Sequence, residues 1–128
     1  MDITASAVSL NVADPDASAA FVTTHFGFAT EMRGDGFHSL TRPDAGFNLI
    51  FLKTGLSTFK PDAQKGPATG LLVVFVVRDI DADHRRLVES GVAITTPLQT
   101  EPWGERFFQV TDPNGIVIQL VQWVTDPG

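Results

Sequence analysis

Three histidines, His25, His38 and His84, and a scatter of carboxylates are the side chains best suited to acid–base or metal chemistry. Two imidazoles reach one ion when they lie a helical turn apart or alternate along a strand. No histidine pair here has either spacing. His84 stands beside Arg85 and Arg86 in a polar helical pattern and reads as solvent-exposed. His25 falls in the last turn of an expected helix, where a cation suits the dipole, and reads as a capping or packing residue. His38 lies in an expected strand and reads as inward-packed and hydrogen-bonded, with an acid–base role as the sharper alternative. Glu101 and Asp112 are further candidate general bases, though Asp112 in "TDPNG" is more simply a turn residue bonding its own backbone. No Ser-His-Asp or paired-carboxylate arrangement can be placed by spacing. The chain has no cysteine, which excludes disulfides, thiolate zinc sites and a cysteine nucleophile. No catalytic residue is assigned.

At 128 residues and 43% hydrophobic, the chain is long enough for one well-packed domain and short for two. The net charge of −6, from 15 acidic and 9 basic side chains, argues against nucleic acid, for there is no basic stripe to neutralise phosphates. The three lysines all fall between residues 53 and 70, so the remainder carries 6 basic against 14 acidic groups, a balance of −8. That surface favours a cationic small molecule over an anionic one, beside its plainer effect on solubility. No apolar run approaches the roughly 18 residues of a membrane span, and "MDITASAVSL" lacks the basic start of a signal peptide. A soluble cytoplasmic protein with no membrane partner is expected.

The elements that must position any site repeat. Leu10, Val12, Asp14, Asp16 and Ala17 recur 65 positions later as Phe75, Val77, Asp79, Asp81 and Ala82. In each copy an apolar strand runs into an aspartate suited to N-cap a helix, and Gly27 or Gly91 stops that helix. "FHSLTRPDAGFNLIFL" matches "FFQVTDPNGIVIQLVQ", strand–turn–strand in both copies. Residues 28–33 and 92–100 supply the weakest strand of each half. The pattern predicts an α+β fold of two tandem βαβββ modules, about 1–52 and 71–124, joined by a linker at 53–70 into a single domain of residues 1–128.

With the repeat in place, "VSLNVADPDAS", "VFVVRDIDA" and above all "PWGERFFQVTDPNGIVIQL" carry a resemblance to the vicinal oxygen chelate superfamily, which includes glyoxalase I, extradiol dioxygenases, fosfomycin-modifying enzymes and bleomycin-resistance proteins. The resemblance implies curved sheets around a ligand-holding cleft, often completed in a homodimer. It also implies metal ligands on the first and last strand of each module, positions that fall on Ala7, Ile50, Leu72 and Gln119. Three hydrocarbon side chains and one neutral amide are a poor set for a divalent cation. No metal and no cofactor are expected, and the resemblance is nearest to the drug-binding, bleomycin-resistance-like branch.

Strand alternation then suggests what lines the cleft. If Val8, Leu10 and Val12 pack beneath a helix, Ala7, Ser9 and Asn11 face the other way. The same parity brings Phe37, Ser39, Asn48 and Ile50 of the first module to one face, and Val74, Phe107, Gln109 and Gln119 of the second. Trp103, in the turn "PWGE", could stack on an aromatic ligand, and Phe59, in the long linker, could cover the cleft. These ten residues form the candidate ligand site. They suit a metal-free protein that sequesters an aromatic antibiotic or natural product. The alternatives are a metal-free isomerase, cyclase or lyase using His38, Glu101 or Asp112, a metal-dependent enzyme with ligands elsewhere, and an interaction module with a vestigial cleft.

Overall fold

Alternating apolar residues over residues 7–12 and a proline-started helical stripe immediately after them set the pattern of the first half. The computed structural model describes residues 1–56 and 66–124. The chain forms two compact units, Met1–Thr69 and Gly70–Gly128. The first contains β1 (Ala7–Val12), α1 (Pro15–Phe26), β2 (Ala29–Gly34), β3 (Phe37–Thr41) and β4 (Asn48–Lys53). The second contains β5 (Val73–Val76), α2 (Ile80–Glu89), β6 (Ile94–Thr100), β7 (Glu105–Thr111) and β8 (Val117–Trp123). Strand order is β1-β4-β3-β2 in one sheet and β5-β8-β7-β6 in the other. β1 pairs parallel with β4 and β5 with β8, and every other pairing is antiparallel. The two βαβββ modules predicted from the repeat are therefore present, each built around its own mixed sheet.

Both helices start as expected. The Asp14 carboxylate accepts from the Ala17 amide at 3.2 Å and Pro15 opens α1. Asp79 does the same for Ala82 at 3.1 Å at the start of α2. These caps satisfy amides that have no partner within the helix. Gly27 ends α1 with φ +68°, a left-handed conformation that a Cβ would strain. Arg42 donates to the Phe26 carbonyl at that same end.

The core of each unit lies between its helix and one sheet face. In the first unit, Pro15, Ser18, Ala19, Val22 and Phe26 form a buried stripe on α1, set against Leu10, Val12, Leu40, Leu49 and Phe51. In the second, Ile80 and Leu87 of α2 are buried, as are Phe108, Val110, Ile118 and Leu120. A fully buried side chain of this size contributes roughly 1.5–3 kcal/mol. The strands alternate accordingly: β3 reads half-buried, buried, half-buried from Phe37 to Thr41, and β4 does the same from Asn48. Each sheet thus has one face covered by its helix and a second, opposite face, termed the open face, on which Gln119 and Val121 of the second sheet are nonetheless buried. No helix among the described residues is long and apolar enough to cross a membrane.

Candidate functional site

Register decides which predicted residues share a face. In the first sheet Ser9 and Ser39 both lie opposite Ile50, Ala7 lies opposite Asn48, and Phe37 lies opposite Leu52. Since Leu10, Leu40, Leu49 and Phe51 are buried on the helix side, Ala7, Ser9, Phe37, Ser39, Asn48 and Ile50 occupy the open face. In the second sheet Gln119 lies between Val74 and Gln109, and Val121 between Val76 and Phe107. Val74 and Val76 are exposed while Val73 is buried, which sets the open face there. Leu72, also exposed, immediately precedes β5. Phe59 lies outside the described residues.

Each open face carries a polar row, and the two rows differ. On the second sheet Gln109 Nε2 donates to Gln119 Oε1 at 2.7 Å, and Thr96 Oγ1 donates to Gln109 Oε1 at 2.8 Å. A hydroxyl donates or accepts, and an amide turned about its last torsion exchanges donor for acceptor. The row is therefore satisfied in either polarity, and Gln119 can offer a ligand an N–H or a carbonyl oxygen. Gln119 is only 9% exposed, and its neighbour Val121 is buried as well. On the first sheet Ser39 Oγ and Asn48 Nδ2 both donate to Glu31 Oε2, at 3.4 and 3.2 Å. Thr96 and Glu31 had no signature in the sequence. Both lie beside register shifts in the weakly patterned strands β6 and β2.

Trp103 projects from the turn before β7 and is 66% exposed. That turn is tightly held: Gly104 N–H bonds the Glu101 carbonyl at 2.9 Å, and Val124 N–H bonds Gly104 at 2.8 Å. Gly104 has φ +90°, and a Cβ there would come within 2.7 Å of the Val124 carbonyl oxygen. The backbone thus fixes where Trp103 leaves the turn. Trp123, at the end of β8, is also exposed.

The candidate acid–base groups are engaged elsewhere. His38 is buried on the helix side of its sheet, away from the open face. Its Nδ1 lies 3.0 Å from Asp16 Oδ1 and its Nε2 2.7 Å from Thr30 Oγ1. In a neutral ring Nδ1–H donates to the carboxylate and Nε2 accepts from the hydroxyl. Asp16 also pairs with Arg33 at 3.3 Å. The Asp112 carboxylate accepts from the Asn114 and Ile116 amides at 2.9 and 2.8 Å, the turn role its sequence context implied. Glu101 accepts from Gln99 at 3.3 Å. His25 packs edge-on against Phe21 at 5.0 Å between ring centroids. His84 corrects its expectation: it is half-buried rather than exposed, because its ring stands edge-on to the buried Phe108 ring at 5.0 Å.

A separate cavity of about 610 Å3 sits in the first unit, where α1 begins and β2 turns into β3, and includes Asp14, Asp16, Arg33, Asp35 and Lys53 in its lining. Of the predicted ligand residues only Phe37 reaches it. That ring lies over Gly34, where an added Cβ would come within 2.4 Å of it. The positions at which the resemblance implies metal ligands do not fit a divalent cation. Ala7, Ile50 and Leu72 offer no donor atom, which leaves the single neutral amide of Gln119 as the whole ligand set. Among the described residues no three His, Asp or Glu side chains gather as a metal site would require.

The family model for the Glyoxalase/Bleomycin resistance protein/Dioxygenase superfamily matches residues 4–120. Among solved structures, the chain is similar to TioX from Micromonospora sp. ML1, at 26% identity and TM-score 0.78, over 95% of this chain and 100% of that one. It is also similar to TnmS3, an antibiotic binding protein from Streptomyces sp. CB03234, at 27% identity and TM-score 0.74, over 97% and 99% of the two chains. A lactoylglutathione lyase from Agrobacterium tumefaciens shares the fold at 17% identity and TM-score 0.74, over 95% and 96%. No curated protein matches the chain.

Proposed function

The chain belongs to the Glyoxalase/Bleomycin resistance protein/Dioxygenase superfamily, and from that premise we propose that it binds an aromatic antibiotic or natural product without metal and without converting it. The observation that carries this reading is the open face of the second sheet. There an amide row stands among valines and Phe107, and its Gln119 holds a position at which the resemblance implies a metal ligand. Flat apolar surface with a few hydrogen-bonding groups suits a planar ligand. Val74, Phe107, Gln109 and Gln119 on the second sheet and Phe37, Ser39, Asn48 and Ile50 on the first are the proposed ligand-binding residues, and Trp103 stacks on the ligand. The two modules act as one domain, and a homodimer completes the cleft in the cytoplasm.

Two further facts support storage over turnover. Two of the three candidate general bases, His38 and Asp112, are committed to structural hydrogen bonds. The similarity to TnmS3, at 27% identity across nearly all of both chains, is to a protein described as antibiotic-binding. Energetics permit it: burying on the order of 300 Å2 of apolar surface at roughly 25 cal/mol per Å2 supplies about 7–8 kcal/mol before ordering costs, the scale of micromolar binding.

Native mass spectrometry of the protein with a panel of aromatic antibiotics tests the proposal. The expected result is a saturating complex, with the ligand recovered unchanged after prolonged incubation with excess protein. A product mass that grows with time would turn the reading to a metal-free isomerase, cyclase or lyase.

A further inference from the structure

The open face of the first sheet holds a carboxylate in an unusual position. Pairing between β2 and β3 changes register between Thr30 and Met32. Thr30 lies opposite the buried Leu40 and bonds His38, so it belongs to the helix side. Met32 lies opposite Ser39 and belongs to the open side. Strict alternation would put Glu31 and Met32 on opposite faces. The irregularity brings both to the open face, and re-aiming a side chain is what such an extra residue does.

Once there, Glu31 is oriented but not neutralised. Ser39 and Asn48 both donate to its Oε2, so two neutral groups fix the carboxylate and leave its charge whole. Among the described residues no donor bonds Oε1 and no Lys or Arg pairs with Glu31. Beside it the face carries an apolar patch from Ala7, Met32, Ile50 and Leu52, with the Ser9 hydroxyl among them. A held carboxylate beside a flat apolar patch is complementary to an ammonium group on an aromatic body. The chain's net charge of −6 works in the same direction.

We infer that Glu31 selects the ligand's charge and that the ligand is an aromatic molecule carrying a protonated amine. This rests on the binding reading above and specifies its ligand class. The probes are aminomethyl-anthracene, cationic at neutral pH, and hydroxymethyl-anthracene, its neutral near-isostere, titrated calorimetrically into the full chain at low salt. The cation is expected to bind about fivefold more tightly, the upper scale of a solvent-accessible ion pair. Added salt narrows that preference. In Glu31→Gln the ratio of the two affinities falls to about one, while Glu89→Gln, at an exposed carboxylate on α2, keeps the wild-type ratio. Matching circular dichroism spectra establish that both variants are folded. If both probes bind and the ratio is the same in wild type and Glu31→Gln, the role of Glu31 is overturned and the binding reading stands. If neither probe binds the wild type, both are overturned.

Discussion

The two modules solve the same problem, fastening a helix to a sheet, with different chemistry. Asp16 and Asp81 hold corresponding places in the first helical turn, 65 positions apart. Asp16 reaches His38 on β3 and Arg33 on β2. Asp81 reaches Arg106 on β7, at 2.7 Å. Where the first module buries His38, the second buries Phe108 and sets the His84 ring against it. The open faces diverge too. Glu31, Ser39 and Asn48 make an anionic row on one, and Thr96, Gln109 and Gln119 a neutral amide row on the other. A duplicated backbone thus preserves the helix caps and the strand order while the polar groups on each face vary. The comparison teaches that in this chain the scaffold and the polar rows of the open faces are set by separate residues.

The core contact of the second module should be the most costly to remove. Phe108→Ala is expected to destabilise the protein by about 3–5 kcal/mol, because Phe108 is fully buried and its loss leaves a cavity beside His84. Urea denaturation measures this. A loss under 1 kcal/mol would mean that the aromatic contact is not what fastens α2. His38→Phe asks the converse, whether the first module accepts the second module's solution. It removes bonds to Thr30 and Asp16, but Arg33 still accompanies Asp16 and Thr30 is exposed to water. A cost of about 1–2 kcal/mol in the same assay is expected, small for a buried polar group. A neutral or stabilising result would show the two fastenings to be interchangeable.

The legibility of these features in the sequence follows their physical locality. Asp14 with Pro15, and Asp79 with Ala82, announce helix starts within four residues, and the Pro-Asn-Gly and Pro-Asp-Ala-Gly turns are equally local. The alternation in "NLIFLK" and "VIQLVQW" foretold which of their residues share a face. Glu31 was not legible, because its face depends on a register shift in a strand whose six residues are all exposed and carry no apolar rhythm. Thr96 escaped for the same reason, its strand shifting register on both sides of it. His84 was misjudged because its charged neighbours spoke for the helix surface, while the Phe108 it touches lies 24 positions away. Separation along the chain, not chemical obscurity, hid what was hidden.

At the corresponding position on the last strand of each module stand Ile50 and Gln119, 69 apart. Gln119→Ile therefore makes the second face resemble the first at that place. Gln109 keeps Thr96 but loses the acceptor for its N–H. A stability cost of about 1 kcal/mol is expected, with a larger proportional loss in ligand affinity, since the row loses its most buried amide. Thermal denaturation with and without a bound aromatic ligand separates the two effects. If Gln119→Ile binds as well as wild type, the amide row does not orient the ligand.

The smallest effect should come from the ion pair between α2 and β7. The Arg106 guanidinium, donating to the Asp81 carboxylate, holds that carboxyl below its ordinary value against a weaker opposing effect of desolvation. A folded-state value below the unfolded one adds stability that is fully present above the unfolded value, about 3.9, and is lost as pH falls through the folded value. Wild type should then melt above Asp81→Asn at neutral pH, with the gap closing progressively below about pH 4. Asp44 is also held low, by Arg42, but that pair lies within a turn and joins no helix to a strand. Asp44→Asn should accordingly show a narrower gap at neutral pH. If the Asp81→Asn gap were unchanged from neutral pH into acid, Arg106 would contribute through packing and not through the carboxylate's charge, and no ion pair would help to fasten α2 to β7.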